Sequence, residues 1–191
     1  MKRAFIPFII SVFAIMSCNQ TGRIVSDTPI KTNILGVELC KKMTTSDVVD
    51  ALMTNTDKFF TCMPEKNGNS EVYRSFPLDM NFAYGGLSWS YIDVGVTSEK
   101  EVHTIYLVAS YESVENAKQQ FDSAVELFTQ KYGKGNSGMS NNMFWTDDVN
   151  SVGLLYEATS SIDGSDRSFC YLYYTNIALN DKAEQENQPD I

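Results

Sequence analysis

The sequence has a single histidine, His103, and neither a Gly-x-Ser-x-Gly nor a Cys-x-x-Cys anywhere. A histidine-based nucleophile relay needs a base, an orienting carboxylate and an oxyanion hole, and no frame for one is present. Without Cys-x-x-Cys, neither a zinc knuckle nor a thioredoxin-like redox centre is indicated. Positive charge is also scarce, with 15 Lys and Arg against 24 Asp and Glu. A surface that acidic repels nucleic acid and anionic lipid headgroups, so nucleic-acid binding is excluded as an expectation. No cofactor motif is found either. After Met16 no apolar run is long enough to span a bilayer, which needs about 20 residues as a helix.

One apolar run is present, at the start. Lys2 and Arg3 precede Ala4 to Met16, 13 residues without a charge and with Pro7 inside. A basic start followed by a short apolar run reads as a secretory leader, not a membrane span. The run ends in Ile15-Met16-Ser17-Cys18, which resembles a lipobox: an aliphatic residue, a small residue, then cysteine. That resemblance implies cleavage after residue 17 and diacylglycerol on the Cys18 thiol. Several acyl chains, at about 0.8 kcal/mol per buried methylene, would anchor the chain stably to a membrane. Processing would remove two positive charges and leave a net charge of about −11.

The expected mature chain of 174 residues is long enough for one domain with a real core. Residues 18–33 are polar, with Gly22 and Pro29, and read as a flexible tether. Residues 34–179 read as one α+β domain, and 180–191, charged and Gln/Asn-rich, as a disordered tail. Cys40, Cys62 and Cys170 remain beside Cys18 and allow at most one internal bridge. Buried free thiols are the first reading and a Cys40–Cys62 bridge the second.

Periodicity gives the elements. Met43 to about Asn55 reads as a helix, capped by Thr44 or Thr45, with Asp47 in its first turn and Val48, Ala51 and Leu52 as its stripe. With Thr44 as cap, Met43 and Val48 stand at hydrophobic-staple positions. A loop through Pro64 to Ser70 leads to an alternating run, Val72 to Tyr84, in which Pro77 suggests an edge or a bulge. Strands over Ser88–Thr97 and Val102–Ser110 follow. A second helix starts at the Ser113 cap, with Val114, Ala117, Phe121, Ala124, Val125, Phe128 and Tyr132 on one face and Gly133 as terminator. Three more strands fall near Met143–Thr146, Ser151–Thr159 and Ser168–Ile177. The fold expected is an antiparallel sheet with helices on one face, in the order α-β-β-β-α-β-β-β, consistent with a duplicated half.

Two local patterns carry a resemblance. Lys42-Met43-Thr44-Thr45-Ser46-Asp47-Val48 with Leu52 resembles the helix-opening motif of outer-membrane assembly lipoproteins of the BamE type and of the β-lactamase-inhibitor-protein fold. Ile34-Leu35-Gly36, Tyr84-Gly85-Gly86-Leu87-Ser88-Trp89 and the helix ending Lys131-Tyr132-Gly133 together resemble small envelope lipoproteins of gut Bacteroides. That class implies an envelope location, the outer membrane rather than the inner, and no assigned chemistry. Asn19-Gln20-Thr21-Gly22 lacks the acidic surface-export signal some of them carry, which points to the periplasmic side.

Candidate functional residues are aromatic: Trp89, Tyr91, Phe144, Trp145, Tyr171 and Tyr173, at strands or their entrances. On one reading Trp89 and Tyr91 face away from Ile92, Val94 and Val96 and form an exposed patch; on the other, these rings fill the core. Asp163-Gly164-Ser165-Asp166 and Asp147-Asp148 read as hairpin turns, not cation sites. Two functions are carried forward. One is a non-catalytic module that grips an envelope protein partner. The alternative is glycan capture or processing, with Trp89 or Trp145 stacking a sugar and Asp93 and Glu157 as the carboxylates.

Overall fold

A computed structural model describes residues 23–56, 60–138, 141–160 and 166–187. The leader, Cys18, residues 19–22, the Asp163–Ser165 part of one expected turn and residues 188–191 lie outside the described residues, as does the side chain of Cys62.

A short hairpin, β1 (Asn33–Ile34) and β2 (Val37–Glu38), precedes the first helix, α1 (Thr45–Asn55). Thr44 is its cap. The Thr44 hydroxyl accepts from the Asp47 N–H, and the Asp47 carboxylate accepts from the Thr44 N–H at 2.7 Å, a reciprocal capping box. Met43 and Val48 are both buried, as the staple requires.

Next come β3 (Phe60–Asn67), β4 (Ser70–Pro77), a small hairpin of β5 (Phe82–Tyr84) and β6 (Leu87–Trp89), β7 (Tyr91–Val96) and β8 (Val102–Tyr111). The second helix, α2 (Val114–Tyr132), is capped by Ser113 and ended by Gly133 at φ 80°. It buries Ala117, Phe121, Ala124, Phe128 and Tyr132, while Val114 stays exposed. The chain closes with β9 (Asn136–Ser137), β10 (Asn142–Thr146), β11 (Asn150–Ser160), β12 (Asp166–Asn176) and α3 (Ile177–Glu186).

The main sheet has eight strands in the order β3-β4-β7-β8-β12-β11-β10-β9, every pair antiparallel. The fold is therefore α+β. Each half contributes a helix and four strands of the main sheet, not the three strands expected, the first half adding the separate β5–β6 hairpin, and the halves meet where β8 pairs with β12. Both α1 and α2 belong to the larger core, with Val48, Leu52, Phe121 and Phe128 packed against Tyr73, Ile92, Ile105, Leu107, Leu154 and Leu172.

Several expectations need correcting. The segment read as a loop through Pro64 is instead the edge strand β3, where proline is tolerated because one side of the backbone has no partner strand. Pro77 marks neither an edge nor a bulge; it ends β4. Residues 23–33 do not hang free. Ile24 and Asn136 exchange two hydrogen bonds of 2.7 Å, the Ser26 N–H donates to Thr146 O and the Ile30 N–H to Asp147 Oδ2, and Ile30 is buried. Most of the expected tail is helical: Asn176 caps α3 by accepting from the Leu179 N–H, and Asn180 and Ala183 are buried. That helix buries little apolar surface, so it leaves no hydrophobic periodicity to read.

Both tryptophans lie in the core. Trp89 and Trp145 are fully enclosed, their indole N–H groups donating to Tyr84 O and Gly133 O. Trp89 escapes the parity of β7 because the chain bends at Ser90, so the run from Ser88 to Thr97 is two strands rather than one.

The opposite face of the sheet is close-packed at Gly153, where any Cβ would overlap the Tyr173 ring lying across it. Gly153→Val is expected to lower unfolding free energy by about 1–3 kcal/mol, the usual range for overpacking, when urea denaturation is followed by circular dichroism.

Candidate interaction face

Strand alternation gives the sheet two faces, and the register settles which residues share each. Opposite α1 and α2, one row across the strands reads Arg74, Asp93, Tyr106, Tyr173, Gly153, Phe144. The next reads Tyr91, Val108, Tyr171, Leu155, Asn142. Tyr106, Val108, Leu155 and Tyr173 form a second, smaller buried cluster, with Tyr91, Phe169 and Tyr171 partly exposed around it. Of the six aromatic candidates, four (Tyr91, Phe144, Tyr171 and Tyr173) are thus gathered on one face, and the two tryptophans are not among them.

Arg74, Asp93, Tyr171 and Tyr173 of this face each have a polar partner. Arg74 on β4 meets Asp93 on β7 in a two-pronged contact, Nε to Oδ1 at 2.9 Å and Nη2 to Oδ2 at 2.7 Å. Both side chains are largely buried, 12% and 4% exposed, so the charges interact with little screening. Hydrogen bonding to Asp93 holds Arg74 firmly charged, whereas burial pushes the Asp93 carboxyl above its usual range against the pull of Arg74. The guanidinium also stacks over Tyr91, 5.2 Å from the ring centre, and Tyr91 packs against Phe76. The Tyr171 hydroxyl donates to Glu157 at 2.8 Å, and that of Tyr173 to Asn142 at 3.4 Å.

Arg74, Tyr106 and Phe169 were not foreseen as site residues. The signal for Arg74 was its place in the alternation of β4 beside Phe76. Its pairing with Asp93 follows only from the β4–β7 register.

The carboxylates of the glycan reading do not meet. Asp93 on β7 and Glu157 on β11 share this face but are three strand spacings apart, about 14 Å laterally, and four residues out of line, too far for a hydrolytic pair. Among the described residues no group of three or more His, Cys, Asp or Glu could hold a metal ion. Cys40 and Cys170 are free thiols, the first exposed and the second buried. Burial pushes the Cys170 thiol up to about 12, so it behaves as a small apolar side chain.

His103 is structural. A bulge at Gly95/Val96 lays its ring over Gly95, on the same face as Asp93 and Tyr91. The Nδ1 atom donates to Asn180 Oδ1 at 3.1 Å, since an amide oxygen only accepts, and the Asn180 amide in turn donates to Glu184. This contact seats α3 on the second face, so the helices do not all lie on one side of the sheet. Burial lowers the His103 pKa to about 4, against the opposing effect of the Asn180 hydrogen bond.

Comparison with family models, with characterised proteins and with solved structures returns no match to this chain, so its own geometry carries the functional argument.

Two outcomes follow. Arg74→Met should cost about 3–5 kcal/mol in chemical denaturation by stranding a buried Asp93 charge, and adding Asp93→Val should recover most of that loss. His103 must be neutral when folded but titrates near 6.5 when unfolded. Its stabilisation is full above that value and lost as pH falls from 6.5 toward 4, on the order of 3 kcal/mol in total. His103→Gln, which keeps a donor to Asn180, should flatten this part of the stability–pH curve relative to wild type.

Proposed function

We propose that the protein is a lipid-anchored envelope protein, held through Cys18 in the outer membrane on its periplasmic side, that binds a protein partner without catalysis. The observation that carries this reading is the aromatic and ion-paired sheet face opposite α1 and α2. Tyr and Arg are favoured contact residues in protein interfaces, because each offers apolar area and a hydrogen-bonding tip at modest entropic cost. Here Tyr91 and Tyr171 are partly exposed and held in place by Arg74, Phe76 and Glu157. Such a prearranged surface loses little freedom on binding. The glycan reading has less support: Trp89 and Trp145 are enclosed, and Asp93 and Glu157 are each already engaged.

The test uses full-length protein made in a lipidating host, crosslinked in cells and analysed by mass spectrometry. Wild type and Tyr91→Phe are expected to capture one envelope protein reproducibly. Tyr91→Ala should reduce that capture at least tenfold while melting within a few degrees of wild type. Equal capture by the folded Tyr91→Ala variant would overturn this face as the site. Absence of any partner, with purified protein depleting glycan from solution, would favour the alternative.

A further inference from the structure

The strap of residues 23–33 decides how the domain meets its membrane. We infer that the β9–β10 edge of the sheet is the membrane-facing side, and that it rests on lipid headgroups instead of swinging on a tether. This deepens the lipoprotein reading and rests on it.

From Arg23 onward the chain is fastened along that edge. The paired bonds of Ile24 with Asn136 tie the strap to β9, and the Ser26 N–H donates to Thr146 O at the end of β10. The Ser26 hydroxyl shares its one proton between Thr28 O at 2.9 Å and Tyr132 O at 3.0 Å, adding a contact to the end of α2. Only five residue steps separate Arg23 from Cys18, a maximum reach of about 17 Å. The 16-residue tether expected from composition would have reached about 50 Å and allowed any orientation. A leash of five steps does not.

The chemistry of the edge suits a headgroup layer. Ile24 and Val25 are 37% and 45% exposed at the point where the leash leaves the domain. Lys131 and Lys134 are exposed at the adjoining end of α2, and Arg23 stacks over Phe144 with its guanidinium 5.7 Å from the ring centre. Exposed apolar side chains flanked by long lysines that can extend toward water suit an interfacial layer. Asp27 and Asp148 are exposed beside them, so the short leash and the exposed Ile24–Val25 pair, not net charge, carry the orientation. The opposite edge, β3, lies seven strand spacings away, about 33 Å, and would face the periplasm.

The experiment places a donor fluorophore, through a non-canonical amino acid, at exposed Ser137 on β9 or at exposed Lys66 on β3. Each lipidated protein is reconstituted in phosphatidylethanolamine–phosphatidylglycerol vesicles carrying an acceptor lipid. Energy transfer is expected to be several-fold stronger from Ser137 than from Lys66. A twelve-residue Gly/Ser spacer between Gly22 and Arg23 should largely remove the difference, with folding unchanged. Equal transfer from both sites, with lipid on Cys18 confirmed by intact mass, would overturn the orientation alone. Chain lacking lipid on Cys18 and failing to float with vesicles would overturn the lipoprotein reading and the orientation with it.

Discussion

The pairing of β8 with β12 makes one molecule out of two halves. Val108 sits opposite Tyr171, Leu107 opposite Leu172 and Tyr106 opposite Tyr173, at the middle of an eight-stranded sheet. On one side Leu107 and Leu172 join the core beneath the helices; on the other Tyr106, Val108 and Tyr173 found the second cluster. These strands lie far apart in sequence, so their ladder closes long loops whose entropy must be offset by burial on both faces. A register slip of one residue here would exchange the two faces throughout and expose the core.

The second face owes its character to that ladder. It carries rings where a solvated sheet face would carry small polar residues, and its central charges, Arg74 and Asp93, neutralise each other. The Arg74–Asp93 contact costs desolvation on both partners and is weak evidence for stability taken alone. Its evident effect is to hold Tyr91 through the stacked guanidinium. Gly153 contributes by absence, leaving room for Tyr173 to lie across β11 toward Asn142. His103 and α3 close one end of the same face and leave the rings to either side of Val108 as its accessible part.

The strap and this face stand in a definite relation. Arg23 touches Phe144 at the β10 end of the face, while the Arg74–Asp93 pair lies toward the β3 edge. With the β9–β10 edge against a bilayer, the face would stand roughly upright from it.

By itself the sequence determined what depends on neighbours along the chain. The face of α2, its Ser113 cap and Gly133 stop, the start of α1 at Thr44 or Thr45 and the central strands were all legible, because helical and strand periods and local hydrogen bonds need no distant partner. Tertiary structure alone decided the rest. β3, with Pro64 and a charged run, is a strand only because β4 lies beside it, and α3 is a helix anchored through Asn180 and His103 instead of an apolar stripe. The bend at Ser90 sent Trp89 inward while Tyr91 kept to the other face, a difference no alternation across that run could reveal. The strap looked like a tether because its bonds are made to Asn136, Thr146 and Asp147, more than a hundred residues further along. Long-range partners of this kind are set by how sheets and helices pack, and a single sequence does not display them.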